Sequence, residues 1–183
     1  MDRSDRDYYR NKNRGRPAPN DIPKPRKGQE SVWDYPRPPA LEHIKAHGLV
    51  KYKDIIIADS KNIIKIMETA SPPTYYIPEN DIDINMLHKN NHYTFCEWKG
   101  EANYFDLVSG SNVIENVAWT YPDPLADTTD FLPIKHHLAF YAGTLDCYLD
   151  DEKVDPQQSK FYGGWVTSRI LGPFKGEPGT SHW

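Results

Sequence analysis

Apolar and polar positions alternate along this chain in short runs, and turn residues separate the runs. Leu49-Val50-Lys51-Tyr52 and Ile55-Ile56-Ile57-Ala58 flank Lys53-Asp54, which predicts a hairpin. Asn62 to Glu68 is ambiguous between helix and strand. Pro72-Pro73 is expected to stop it, and Thr74-Tyr75-Tyr76-Ile77 reads as a further strand. The stretch NDIDINMLH, after Pro78, suits one short helix with Asn80 or Asp81 near its start. Strands are expected over His92–Cys96, Ala102–Val108, Val113–Trp119 and a long segment from Leu138 to Leu149, with Ser109-Gly110-Ser111 as a turn. The tail FYGGWVTSRILGPFKGEPGTSHW is rich in Gly and Pro and is expected to wrap the outside. Many short strands and one short helix predict a mainly β, antiparallel architecture, a sandwich or an open barrel.

Composition changes this picture at the N-terminus. Residues 1–30 carry 9 Lys/Arg and 5 Asp/Glu and are almost free of aliphatic side chains. Such a segment buries too little to offset its ordering entropy, so a disordered basic arm is expected there, followed by a single domain over 31–183. The arm suits contact with a polyanion or another protein. Equally, it suits a solubilising tail or one that folds back on its own acidic core. The whole chain of 183 residues has a net charge of −4, so the part after the arm is acidic. An acidic globule with a basic arm argues against a dedicated nucleic-acid domain. There is no apolar run long enough to span a membrane and no signal-like N-terminus, which points to the cytoplasm. Two cysteines, Cys96 and Cys147, allow no disulfide framework and no zinc spacing.

Candidate chemistry concentrates in CEWKGEANYF, Cys96 to Phe105. Read from Tyr93 to Val108 as one strand that bends at Gly100, the chain puts Thr94, Cys96, Trp98, Ala102 and Tyr104 on one face. Glu97, Lys99 and Glu101 then form a charged row on the other. A bulge at Gly100 would instead move Glu101 to the face of Trp98. Two carboxylates beside Lys99 keep it charged. That suits a group holding an anion or a polar carbonyl, and it opposes a nucleophilic lysine. Cys96, beside Glu97, reads as a buried small residue rather than an activated thiol. His88 and His92, and His136-His137, lack a third ligand at useful spacing, so no metal or other cofactor is expected.

Aromatics beside Pro and Gly form the other theme, read either as core or as the walls of a pocket for a planar or cationic ligand. Two echoes stand out: W-x-Y-P-x-P at 33–38 and 119–124, and aromatic-K-G-E at 98–101 and 174–177. Candidate ligand contacts are Trp33, Tyr35, Arg37, Tyr75, Tyr76, Trp98, Lys99, Glu101, Tyr104 and Trp119. Candidate acid/base or charge-stabilising groups are Glu68, Lys99 and Glu101.

VWDYPRPP, IADS, METASPPTYYIP, CEWKGEANYF, VAWTYPDP and FYGGWVTSRILGPFKGEPGT, in that order, resemble the bacterial family catalogued as domain of unknown function 427, from about Val32 to the C-terminus. The resemblance implies a β-tent, two antiparallel sheets that meet at an angle and leave a ligand-sized groove. Similar tents, such as the thalidomide-binding domain of cereblon and the Yippee family, usually carry a cysteine-bound zinc. This sequence lacks those cysteine pairs. A nucleotidyltransferase-like label also attaches to the family, yet no P-loop and no close Asp pair for Mg²⁺ is present. The expected function is binding of a small polar or anionic ligand in an aromatic-walled groove. The alternatives are a transferase- or hydrolase-type enzyme using Lys99 and Glu101, and an interaction module acting through the arm.

Overall fold

The computed structural model describes residues 1–183 except Asn13, in the arm, and Ser181, in the tail. In chain order the strands are β1 (Glu30–Ser31), β2 (Ala40–Ile44), β3 (Gly48–Tyr52), β4 (Ile55–Ser60), β5 (Ile63–Glu68), β6 (Ser71–Pro78), β7 (Leu87–Cys96) and β8 (Gly100–Ser109). Then follow β9 (Asn112–Thr120), β10 (His137–Phe140), β11 (Asp146–Leu149), β12 (Glu152–Lys153), β13 (Asp155–Pro156), β14 (Trp165–Val166) and β15 (Ile170–Leu171). Seven strands form one antiparallel sheet in the order β2-β5-β6-β10-β9-β8-β7. Four form a second, β12-β11-β3-β4. Both sheets are open. The protein is mainly β, as its pattern predicts, and the hairpins at Lys53-Asp54 and Gly110-Ser111 stand where the turn residues put them.

The period-2 alternation of the large sheet buries both of its faces. On one face Ile63, Tyr75, Ile77, Ala118, Leu138 and Phe140 pack against Val50, Ile57 and Cys147 of the small sheet, which is the main core. On the other face Ile64, Tyr76, Tyr104, Trp119 and Ala139 form a second cluster with Tyr121, Phe131 and Ile134. Neighbours in sequence such as Tyr75 and Tyr76, or Ala118 and Trp119, therefore belong to different environments. A third cluster joins Val32, Trp33 and Tyr35 to Ile170 and the C-terminal Phe174 and Trp183. Parallel pairing of β1 with β15 ties the start of the domain to its tail.

Four expectations need correcting. The arm contains an α-helix, α1, over Arg3–Asn11. Asp2 caps it by accepting the Asp5 N–H at 2.9 Å. No residue of α1 is buried. It is held through side-chain charge, which a hydrophobicity argument for disorder does not count. The short helix expected after Pro78 is two 3₁₀ turns, Glu79–Asp81 and Ile84–Met86. Between them Ile82 bridges Ala58 and Asp83 donates to the Ile57 carbonyl at 2.8 Å, so the sheet edge claims that backbone. Pro72-Pro73 lie inside β6, not in a stop. The chain reverses at Ala70 (φ 72°), and β10 reaches only the far end of β6, so the missing donors of the two prolines leave that pairing intact. The segment from Leu138 to Leu149 splits at Gly143 (φ 88°) into β10 and β11, which join different sheets.

Candidate functional site

CEWKGEANYF is a hairpin rather than one bent strand. Cys96 pairs with Gly100, and Glu97-Trp98-Lys99 form the loop between β7 and β8. Gly100 has φ 99°, a backbone state that glycine adopts without steric cost and that three-residue hairpin loops use for the residue after the turn. The loop breaks the expected row of charges. Glu101 pairs across the ladder with Phe95 and is exposed, accepting only the Asn103 amide at 3.1 Å. Trp98 is buried away from the cavity described next. The Arg10 and Arg37 guanidinium groups lie 5.0 and 5.2 Å from its ring.

A cavity of about 390 Å³ opens on the second face of the large sheet. That volume lies within the range of small-ligand sites. Tyr76 from β6, Tyr104 from β8 and Trp119 from β9 form its floor, and Ile66 and Glu68 of β5 continue it. Tyr121, Tyr141 and Tyr162 add to the walls, and Cys96, Glu97 and Lys99 enter from the hairpin. The floor is braced. Trp119 Nε1 donates to the Tyr76 hydroxyl at 3.2 Å, Thr94 Oγ1 and the Tyr104 hydroxyl are 2.9 Å apart, and the Trp119 and Tyr141 rings sit 4.6 Å apart. Gly163 permits the loop above to close on this floor, since a Cβ there would stand 2.4 Å from the Trp119 ring. From the arm, Tyr9 and Arg14 reach the mouth.

The charges are unevenly satisfied. Glu68 Oε1 accepts from Arg37 at 3.0 Å, and Glu97 Oε1 accepts from Arg37 at 3.2 Å and from Arg14 at 3.5 Å. Both carboxylates on the wall are thus engaged by arginine. Lys99, by contrast, is 8% exposed, lines the cavity, and its ammonium makes no hydrogen bond or ion pair among the described residues. It lies 5.7 Å from the centre of the Tyr121 ring. Burial alone would push the Lys99 ammonium down, but the acidic groups around it, Cys96, Tyr76, Glu68 and Glu97, outweigh burial and hold it above its ordinary value. Burial pushes the Tyr76, Tyr121 and Tyr141 hydroxyls up, so they are neutral donors at physiological pH.

Of the residues singled out from sequence, Glu68, Tyr76, Lys99, Tyr104 and Trp119 come together on this cavity, with Arg37 behind the two carboxylates. The others lie elsewhere. Tyr75 packs in the main core 5.3 Å from Trp165, Trp33 donates to the Pro173 carbonyl, and Tyr35 donates to Glu30 at 2.7 Å. Cys96 is half-buried on the cavity wall, and Cys147 is buried in the main core, where burial pushes its thiol up. Sequence reasoning did not place Tyr141, Gly163 or Lys175 at the site. The FYGGW and FKGE motifs were the available signals for the last two. Among the described residues no cluster of three or more His, Cys, Asp or Glu is arranged to hold a metal, and no helix is long and apolar enough to cross a membrane.

The family model described as Domain of unknown function (DUF427) matches residues 40–151, which contain β2 to β11 and most of the cavity floor. No curated protein matches the chain. Because the match spans more than half of the sequence, the chain belongs to the DUF427 family.

Proposed function

We propose that this DUF427 protein binds a small ligand with a planar body and negative charge in the tyrosine-walled cavity, with Lys99 as its counter-ion. One observation carries the reading: Lys99, 8% exposed as a residue, lines the cavity and its ammonium has no hydrogen-bond or ion-pair partner among the described residues, while both neighbouring carboxylates are already paired. A bound anion would give that ammonium the charge-assisted hydrogen bonds it does not make within the protein. The walls suit a flat ligand. Tyr76, Trp119 and Tyr141 present ring faces and edges, and the neutral Tyr76 and Tyr121 hydroxyls supply donors for its polar atoms. A lysine held charged is a poor nucleophile, which favours holding an anion over covalent chemistry at Lys99.

The test is thermal unfolding with a panel of aromatic carboxylates, each matched to its neutral carboxamide. Saturating acids are expected to raise Tm by a few degrees, as about 1–3 kcal/mol of linkage does for a domain of this size, while the amides do not. Lys99→Met is expected to abolish the response to the acids. Equal stabilisation of that variant would remove Lys99 from the site, and equal stabilisation by acids and amides would remove the charge from the reading.

A further inference from the structure

Two aromatic-Lys-Gly-Glu segments, Trp98–Glu101 and Phe174–Glu177, are far apart in sequence and meet at this cavity. Their local structures are alike. Both glycines have positive φ, 99° at Gly100 and 108° at Gly176. Both aromatics turn away, Trp98 between two guanidinium groups and Phe174 into the cluster around Trp33. Both lysines line the cavity. Lys175 Nζ lies 4.8 Å from the centre of the Tyr162 ring and, like that of Lys99, makes no hydrogen bond or ion pair among the described residues. The Lys175 backbone is fixed on both sides, donating to the Ala70 carbonyl at 2.7 Å and accepting from Gln157 Nε2 at 2.6 Å.

The two ammonium groups lie against different rings, Tyr121 for Lys99 and Tyr162 for Lys175. Tyr162 also borders the adjoining hollow beside His92, whereas Tyr121, the ring under Lys99, does not. Charge around the cavity points the same way. Three side-chain cations on the lining, Arg14, Lys99 and Lys175, face two carboxylates, Glu68 and Glu97, and Arg37 stands behind that pair, bonded to both. A monoanion would leave one ammonium uncompensated.

We propose that the ligand is a planar dianion whose two negative groups stand apart, one at Lys99 and the other at Lys175. The proposal rests on the anion-binding reading above and adds its substrate class and a residue that sets specificity. Calorimetric titration with terephthalate, benzoate and phenyl phosphate tests it on the full chain. Terephthalate is expected to bind about tenfold more tightly than benzoate, the value of one further charge-assisted contact. Phenyl phosphate, with both charges on one head, is expected to fall below terephthalate. Lys175→Met should erase the advantage of terephthalate over benzoate, and Lys175→Arg should restore most of it. Lys99→Met should lose both ligands.

Benzoate binding as tightly as terephthalate to the unmodified protein overturns the dianion proposal alone. So does a Lys175→Met variant that keeps the tenfold ratio. Tighter binding of phenyl phosphate than terephthalate overturns the separation of the two groups. Absence of binding by all three probes overturns the anion-binding reading with it.

Discussion

Two lysines of this protein are buried to nearly the same degree, Lys65 at 6% exposure and Lys99 at 8%, and they are treated in opposite ways. Each ammonium lies over a tyrosine ring, 5.6 Å from Tyr35 for Lys65 and 5.7 Å from Tyr121 for Lys99. Lys65 also donates to Glu30 at 2.6 Å, and Glu30 in turn accepts from the Tyr35 hydroxyl at 2.7 Å. Lys99 lines the cavity and has no carboxylate within ion-pair distance among the described residues. A fold that needed either lysine only for stability would pair both. On the reading proposed above, that difference separates a structural charge from one that a bound anion would pair.

The same substitution at the two sites gives the largest expected contrast. Lys65→Met strands Glu30 and the Tyr35 hydroxyl bonded to it. Because Glu30 is half-exposed, the cost is about 1–2 kcal/mol rather than the several expected for a fully buried pair. Lys99→Met removes an unpaired charge and keeps the apolar stem. Its ligand-free stability is expected to change by less than about half of that amount. Urea unfolding of both variants without ligand measures the difference. Equal losses at the two sites would mean that Lys99 is a structural charge like Lys65, and the contrast would collapse.

Acid provides a second way to separate them. Burial pushes Glu30 up, but the hydrogen bonds from Lys65 and Tyr35 and the charge of Lys65 outweigh it and lower its pKa from the ordinary 4.5. A carboxyl whose folded value is depressed contributes stability above its unfolded value and loses it as pH falls through the folded value. The Lys65–Glu30 contribution is therefore complete above 4.5 and declines below it. Unfolding midpoints between about pH 6 and about pH 3 should fall less in Lys65→Met than in the unmodified protein, whereas Lys99→Met should track the unmodified protein. Parallel curves for unmodified protein and Lys65→Met would show that the pair contributes nothing.

How far the two lysines were legible in the sequence differs for a physical reason. Tyr76, Tyr104 and Trp119 could be assigned to a wall because strand alternation fixes their face, and that alternation is local. Lys99 was singled out through its neighbours in CEWKGEANYF and lies on the cavity wall, whereas Trp98 and Glu101 from the same stretch lie away from it. Whether residues 97–99 form a strand or a loop depends on Gly100 adopting φ 99°, and periodicity does not report that choice. The partner of Lys65 was invisible, since Glu30 lies on the far side of the supposed arm boundary, and its two-residue strand forms only by pairing with β15. Lys175 stands 76 residues after Lys99. Its motif echo was readable, but the meeting of the two segments was not, because it requires the tail to return over the floor at Gly163.

The arm offers the smallest effect and a third case of the same comparison. The Arg10 side chain is 9% exposed, against 7% for that of Lys65, and it is fully engaged. Its guanidinium stacks on Trp98, donates through Nε to the Glu97 carbonyl at 2.7 Å, and grips both oxygens of Asp127 at 3.0 and 2.9 Å. Arg6 adds a contact to Asp127 at 3.2 Å. Since α1 contributes no side chain to the hydrophobic clusters, these charges hold it beside the cavity mouth. Asp127 is half-exposed, so each pair contributes no more than about 1 kcal/mol and is screened by salt. Raising salt from about 0.05 to about 0.5 M should therefore speed protease cleavage within residues 3–16 several-fold, because the screening length shrinks toward the length of the ion pairs. Asp127→Asn should produce much of the same acceleration at low salt and leave only the smaller salt dependence of the Arg14–Glu97 pair. If neither change alters the cleavage rate, charge does not dock the arm. If Asp127→Asn also weakens benzoate binding, α1 is a wall of the ligand site. An unchanged affinity would confine the site to the hairpin, the sheet floor and the tail.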